Sequence, residues 1–252
     1  MNAIILAAGQ GTRLRPFTDH VPKCMVEVRG RPILLHQLHT LKKEGIDNII
    51  VVCGYREEKI HSQGIIKVLN PEFATTNMVY SLFCAESNLK PPFILCYGDI
   101  IYHPDTLRQI VDDDRDIVIA SDRDWYQYWR SRCEDPLNDA ESFRKGDKGK
   151  VQSLGKIASN VNEIEGQFIG MIRFSRHGWD RMREEYHTCR KNPECAANAW
   201  NSGRTLHLAY MTDILNHLAG KGHLHYSEIN RGWFEIDNHD DLRIAEQNMW
   251  QH

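Results

Sequence analysis

The run Ala3-Ile4-Ile5-Leu6-Ala7-Ala8 constrains the fold more than any other stretch, because it is short and wholly apolar. Such a run reads as a strand buried on both faces, and strands of that kind belong in sheets covered by helices on either side. Gly9-Gln10-Gly11-Thr12-Arg13 follows at once. Two glycines let the backbone turn sharply and aim several N–H groups at one point, a concavity that attracts phosphate. Arg13, Arg15 and Lys23 add fixed positive charge to the same segment, and Pro16 and Pro22 stiffen the path between them. A buried strand followed by amides, an arginine fork and an ammonium suits a polyanion.

The rest of the first half repeats the alternation. Apolar runs at 48–53, 65–69, 93–97 and 117–120 read as strands. Between them, 32–44, 76–86 (capped by Thr75 or Thr76) and 104–112 have helical spacing, and a short charged helix follows Gly54-Tyr55. This order predicts an α/β fold, a mainly parallel sheet with helices on both faces. After Ser121 the chain turns polar, and Gly146-Asp147-Lys148-Gly149 between Phe143 and Val151-Leu154 predicts a small β-hairpin. Residues 168–174, 224–228 and 233–236 read as extended, 178–189, 211–218 and 240–250 as helical, and 193–204 as loop. With no repeat, low-complexity tract or linker, residues 1–252 read as one domain in which 122–170 is an insertion facing the substrate.

Composition narrows the function classes. The chain has 31 Lys and Arg against 34 Asp and Glu, a formal charge of −3. No global field therefore draws it to nucleic acid or to an anionic membrane, and phosphate binding must be local. Its seven cysteines form no C-x-x-C pair, so they are expected to be free thiols in a reducing cytoplasm. No signal-like segment or run of membrane-spanning length is present, which predicts a cytoplasmic protein. The sequence is silent on oligomeric state.

The commonest phosphate loops do not fit. Leu14 stands where a dinucleotide fingerprint needs its third glycine, and Lys23 comes too late for a P-loop. In order, Leu6, Ala7, Ala8, Gly9, Gly11, Thr12, Arg13, Leu14, Pro16, Thr18, Pro22 and Lys23 instead resemble the L-A-A-G-x-G-T-R-L-x-P-x-T…P-K signature of the nucleotidyltransferases that make sugar nucleotides and CDP-alcohols. The resemblance implies a Rossmann-like, GT-A-type sheet. It also implies that Leu6, Ala8, Gly9, Gly11, Thr12 and Arg13 hold the nucleotide, with Arg13 and Lys23 acting catalytically.

Asp99 directly follows the apolar run Phe93-Tyr97, where ligands collect at the carboxyl ends of strands. Asp237 ends a second apolar stretch, Trp233-Phe234-Glu235-Ile236. Two carboxylates beside a triphosphate meet the needs of Mg²⁺, although each taken alone reads as a turn or helix cap. Trp233 to Asp237, with Asp241, Leu242 and Ala245, resembles the family's W-x-E-I-D-x-x-x-D-L-x-x-A motif, whose aspartate shares the metal. Thr76, Asn77 and Ser81 resemble its nucleotide-facing edge, with Met78 in place of a usual second asparagine.

Trp125 and Trp129, four apart, share a helix face, as core aromatics or as a surface for an organic cation. Asp122-Arg123-Asp124-Trp125, Asp135-Pro136-Leu137, Asp139-Ala140-Glu141 and Glu163 to Gly170 resemble the phosphocholine and 2-aminoethylphosphonate cytidylyltransferase branch. That branch implies CTP and a small amino-bearing phosphate or phosphonate as partners. It implies Lys23, Trp125, Trp129, Lys156, Glu165, Tyr186, Asp213 and Glu235 as the residues around the acceptor. Two other readings share parts of this pattern. A sugar-1-phosphate nucleotidyltransferase would use UTP, GTP or dTTP, and a non-catalytic sensor would tolerate loss of the aspartates.

Overall fold

The protein is described by a computed structural model covering residues 1–250. In chain order the elements are β1 (Asn2–Ala7), β2 (Glu27–Val28), β3 (Arg31–Pro32), α1 (Ile33–Lys43), β4 (Asn48–Cys53), β5 (Ile65–Leu69), α2 (Met78–Cys84), β6 (Phe93–Tyr97), β7 (Ile100–Tyr102) and α3 (Pro104–Val111). Then come β8 (Ile117–Asp122), α4 (Trp125–Arg132), β9 (Glu141–Lys145), β10 (Val151–Ile157), β11 (Gln167–Phe174), α5 (Arg176–Lys191), α6 (Pro193–Ala197), α7 (Met211–Gly220), β12 (His225–Ile229), β13 (Trp233–Glu235) and α8 (His239–Asn248).

Seven strands form the main sheet in the order β12-β8-β11-β6-β1-β4-β5. β1 is parallel to β4 and β6, β4 to β5, and β8 to β12, whereas β11 is antiparallel to β6 and β8. The mainly parallel sheet expected from the alternation is thus present, with one reversed strand. Its cause lies in the insertion. Asp122 at the end of β8 pairs with Gln167 at the start of β11, so the excursion leaves and re-enters the sheet at one edge and must run back. Within it, β9 and β10 form the predicted antiparallel hairpin.

Alternation along β1 sends Ala3, Ile5 and Ala7 into one apolar layer with Leu34, Leu38 and Leu41 of α1 and Leu242 of α8. Ile4 and Leu6 point to the opposite layer, with Val79 and Leu82 of α2, Trp179 and Met182 of α5, and Ile214 and Leu218 of α7. Each fully buried aliphatic side chain contributes about 1.5–3 kcal/mol. Among the described residues no helix is long and apolar enough to cross a membrane.

Four expectations are corrected. Cys189 and Cys195 are joined by a disulfide, while Cys24, Cys53, Cys84, Cys96 and Cys133 are free. The cause is a sharp local turn. Asn192 Oδ1 accepts from the N–H groups of Glu194 and Cys195, starting α6 where a loop was expected and folding Cys195 back on the end of α5. Helix α2 begins at Met78, capped by Asn77, not by Thr75 or Thr76, because the Thr76 hydroxyl is spent on Glu72 O. Helix α8 stops at Asn248, short of Trp250.

Candidate active site

Register builds the site. Leu6 of β1 lies opposite Tyr97 of β6, and Gly98 N–H donates to Leu6 O at 2.8 Å. A Cβ on Gly98 would stand 2.7 Å from that carbonyl, so glycine lets the exit of β6 lie against the start of the phosphate loop. Asp99 follows immediately. β13 then pairs antiparallel with β7, setting Glu235 opposite Ile100, and Ile236 N–H donates to Asp99 O at 2.9 Å. That two-stranded ribbon delivers Asp237 to Asp99. In the loop, Gly11 has φ +65°, and a Cβ there would be 2.8 Å from Lys23 Cβ, so the turn and the lysine stem run in contact. Thr18 Oγ1 donates to Gly11 O at 2.8 Å and closes the loop on itself.

Lys23 Nζ lies 2.7 Å from Asp99 Oδ2 and 2.5 Å from Asp237 Oδ1, and the Arg13 guanidinium pairs with Asp237 Oδ2. Burial works to lower the Lys23 pKa, but Asp99 and Asp237 outweigh it and raise it above the ordinary value. Burial works to raise the Asp237 carboxyl, but Lys23 and then Arg13 hold it below the usual range. Burial pushes Glu235, beside these groups, up to about 7, against the pull of Arg132. Asp99 Oδ1 is buried without a hydrogen-bond partner. Two hard carboxylates, one with an unused buried oxygen, fit Mg²⁺, which takes few protein ligands and completes its shell from phosphate and water.

Behind the aspartates stands a buried network that sequence reasoning did not find. Arg132 of α4 donates from Nε to Asp241 Oδ1 at 2.8 Å, and its Nη1 lies 2.7 Å from Glu235 Oε2. Asp241 Oδ2 in turn accepts from Asp237 N–H at 3.0 Å and from Asn238 N–H at 3.2 Å. The side chains of Arg132 and Asp241 are 4% and 0% exposed, so the pair fixes the start of α8 from within. Asp241 was visible in the motif; nothing in the local sequence marks Arg132.

Two cavities meet at these carboxylates. The first, about 360 Å³, is lined by Leu6, Ala8, Gly9, Gly11, Thr12, Arg13, Lys23, Thr76, Asn77, Ser81, Tyr97, Asp99, Glu235 and Asp237, among others. Every residue expected to hold the nucleotide lies on its wall. Asn70 organises the far edge, donating to Thr76 Oγ1 and to Ser81 Oγ, both at 3.0 Å. The second, about 330 Å³, shares Arg13, Met78, Tyr97, Glu235 and Asp237 with the first and adds Trp129, Asp139, Glu141, Phe168, Tyr210, Thr212 and Trp233. Trp129 Nε1 donates to Asp139 Oδ2 at 2.9 Å. Burial, and then the Asp213 carboxylate, pushes Glu141 up to about 7.

Of the residues expected around the acceptor, Lys23, Trp129 and Glu235 line these cavities and five do not. Trp125 is buried with Nε1 donating to Ile164 O at 3.2 Å, the core role open to it from the start. Tyr186 stacks on Phe83 with ring centroids 3.5 Å apart, in the apolar layer on the other face of the sheet. Asp213 accepts from Tyr210 N–H at 2.7 Å to cap α7 and pairs with Arg204 at 3.0 Å. Glu165 accepts from Lys145 N–H at 2.7 Å, and Lys156 projects from β10 into solvent. Asp139, Glu141 and Tyr97 occupy the walls instead.

An amide-lined loop at the carboxyl edge of a mainly parallel sheet, with two cations and two carboxylates over it, defines a nucleotidyltransferase. The MobA-like NTP transferase domain family matches residues 3–160. The chain is 33% identical to the CTP:phosphoglutamine cytidylyltransferase of Campylobacter jejuni, over 97% of this chain and 98% of that one. It is 25% identical to the 2-aminoethylphosphonate cytidylyltransferase of Lancefieldella rimae, over 82% of this chain and 80% of that one. The solved structure of the CTP:phosphocholine cytidylyltransferase of Streptococcus pneumoniae superposes with a TM-score of 0.70 at 24% identity, covering 98% of this chain and 97% of that one, a likeness of fold. The chain therefore belongs to the MobA-like NTP transferase family, and it is a nucleotidyltransferase.

Proposed function

We propose that this enzyme is a Mg²⁺-dependent cytidylyltransferase that transfers CMP from CTP to a small amino-bearing phosphomonoester or phosphonate and releases pyrophosphate. One observation carries the reading: the phosphate-loop cleft opens, across Asp237 and Glu235, into a second cavity walled by aromatic rings and carboxylates. Carboxylates and aromatic faces together attract an organic cation, which supports a pose with the amino end of the acceptor there and its phosphate toward Lys23. The relatives named for CTP and for amino-bearing acceptors support the same assignment.

In this reading residues 1–252 act as one catalytic domain. The amides of Gly9 to Thr12 and the Arg13 guanidinium hold the β- and γ-phosphates of CTP. Thr76, Asn77 and Ser81 border the nucleoside. Lys23 sits where the α-phosphate and the incoming phosphate converge, and its ammonium offsets the repulsion between two anions as they approach. The acceptor oxygen attacks the α-phosphorus in line with the departing pyrophosphate, so the protein's contribution is positioning and charge neutralisation. Asp99 and Asp237 would hold the Mg²⁺, which when bound neutralises phosphate charge and polarises the attacked phosphorus.

Pyrophosphate release tests the reading. The assay crosses CTP, UTP, GTP and dTTP with phosphocholine, 2-aminoethylphosphonate, a phosphorylated amino-acid amide and glucose 1-phosphate. Turnover confined to CTP with an amino-bearing acceptor is the expected result. Preference for UTP, GTP or dTTP with the sugar phosphate would reassign the enzyme to sugar-nucleotide synthesis.

A further inference from the structure

The Lys23 ammonium stands between the two carboxylates assigned to the metal, in contact with both at 2.7 and 2.5 Å, and Arg13 holds the remaining oxygen of Asp237. Two negative charges thus face two positive ones, and the cluster is neutral without any ion. The side chains of Lys23, Asp99 and Asp237 are only 14%, 17% and 12% exposed, so water screens the contacts poorly. A divalent ion entering this cluster alone would displace a buried ammonium from its partners and then lie beside it. A nucleoside triphosphate changes the balance. It brings several negative charges to the loop, and its phosphates offer Lys23 and Arg13 new partners.

We propose that Lys23 is the resident cation of the Asp99–Asp237 site, so that a divalent metal binds there only as nucleotide phosphates draw Lys23 and Arg13 away. This rests on the Mg²⁺-dependent reading given above and adds a second task for Lys23, that of keeping the site closed to metal until the nucleotide arrives. Arg13 is the looser of the two cations, 64% exposed and free to swing toward a phosphate. Lys23 is the tighter, its stem pinned against Gly11. Exchange of one cation for another leaves the buried carboxylates neutralised throughout, which avoids the cost of an unpaired charge.

The test uses Mn²⁺ alone, titrated into the protein of residues 1–252 without nucleotide and followed by its paramagnetic resonance signal. Wild-type protein is expected to bind weakly, and Lys23→Met and Lys23→Gln to bind at least about tenfold more tightly, the scale of an ordinary coupling between sites. Arg13→Gln should show a smaller gain. Adding Asp99→Asn to Lys23→Met should remove the gained binding, which locates it. Equal Mn²⁺ affinity in wild type and both Lys23 variants would overturn the proposal while leaving the metal reading intact. No Mn²⁺ binding by any of them, even with a non-hydrolysable CTP analogue, would overturn both. Thermal melts cover a variant that folds poorly. Mn²⁺ is expected to raise the melting temperature of the Lys23 variants well beyond its effect on wild type, and no such difference would also count against the idea.

Discussion

Asp99 and Asp237, far apart in sequence, share one ammonium: Lys23 Nζ is 2.7 Å from the first and 2.5 Å from the second. The β7–β13 ribbon makes this possible by pairing Ile100 with Glu235. Replacing Lys23 with alanine removes the cation where two phosphates must meet. Turnover should fall about 10²- to 10³-fold, the cost of losing one such electrostatic contact, with the circular-dichroism spectrum unchanged. Near-normal turnover would take Lys23 out of the chemistry.

Metal removal gives a second test. With EDTA the enzyme should release no pyrophosphate, and Mg²⁺ should restore it. Asp99→Asn and Asp237→Asn should each raise the Mg²⁺ concentration for half-maximal rate by more than about tenfold, since even outer-sphere changes cost that much. The readout is the initial rate against Mg²⁺ at saturating CTP.

The second cavity, as the proposed acceptor site, predicts a split between substrates. Above pH 7, where Glu141 is ionised, Glu141→Gln and Asp139→Asn remove negative charge from its wall, and each should then raise the KM for an amino-bearing acceptor by about tenfold, the worth of a hydrogen bond to a charged group. The KM for CTP should stay put, because neither residue lines the first cavity. Lys156→Ala and Glu165→Gln, both outside that cavity, should alter neither constant.

Glu141 also carries a pH signature. Its carboxyl titrates near 7 in the folded chain against 4.5 for an unperturbed glutamate, with burial the main cause and Asp213 next. Between those values the folded state holds a proton that the unfolded state has lost, so this group makes stability fall as pH rises from about 4.5 to 7. Glu141→Gln removes that slope. The melting temperature of the variant relative to wild type should climb across the window and level off above pH 7; a flat difference would place Glu141 in a more solvated setting.

Arg132→Ala leaves the buried Asp241 and the half-buried Glu235 without their cation. Breaking a buried ion pair from one side costs about 3 to 5 kcal/mol, to be read from urea unfolding. A loss under 1 kcal/mol would mean that the backbone N–H groups of Asp237 and Asn238 hold Asp241 by themselves.

Local order made much of this legible from residues alone. The strand and loop from Ala3 to Arg13, the Asp99 that closes an apolar run, and the Asp237 motif each carry their signal within a few residues. Their positions follow from where strands end, and the residues expected to hold the nucleotide come together on the wall of the first cavity. Most of those expected around the acceptor do not reach either cavity. Trp125 and Trp129 share a helix face, yet only Trp129 reaches the cavity, because the helix tilts one ring toward Asp139 and the other toward Ile164 O. Tyr186 and Asp213 lie on elements whose packing partners are remote in sequence.

The sequence by itself determined the alternation of strands and helices, the phosphate loop and the identity of the charged groups, because these depend on neighbours along the chain. Tertiary structure alone decided that β11 runs backward, that Arg132 supports the aspartates, and that Asp139 and Glu141 wall the second cavity. Those outcomes turn on which side chains become neighbours when distant segments pack, and on how burial redistributes charge among them. No short window of residues contains that information.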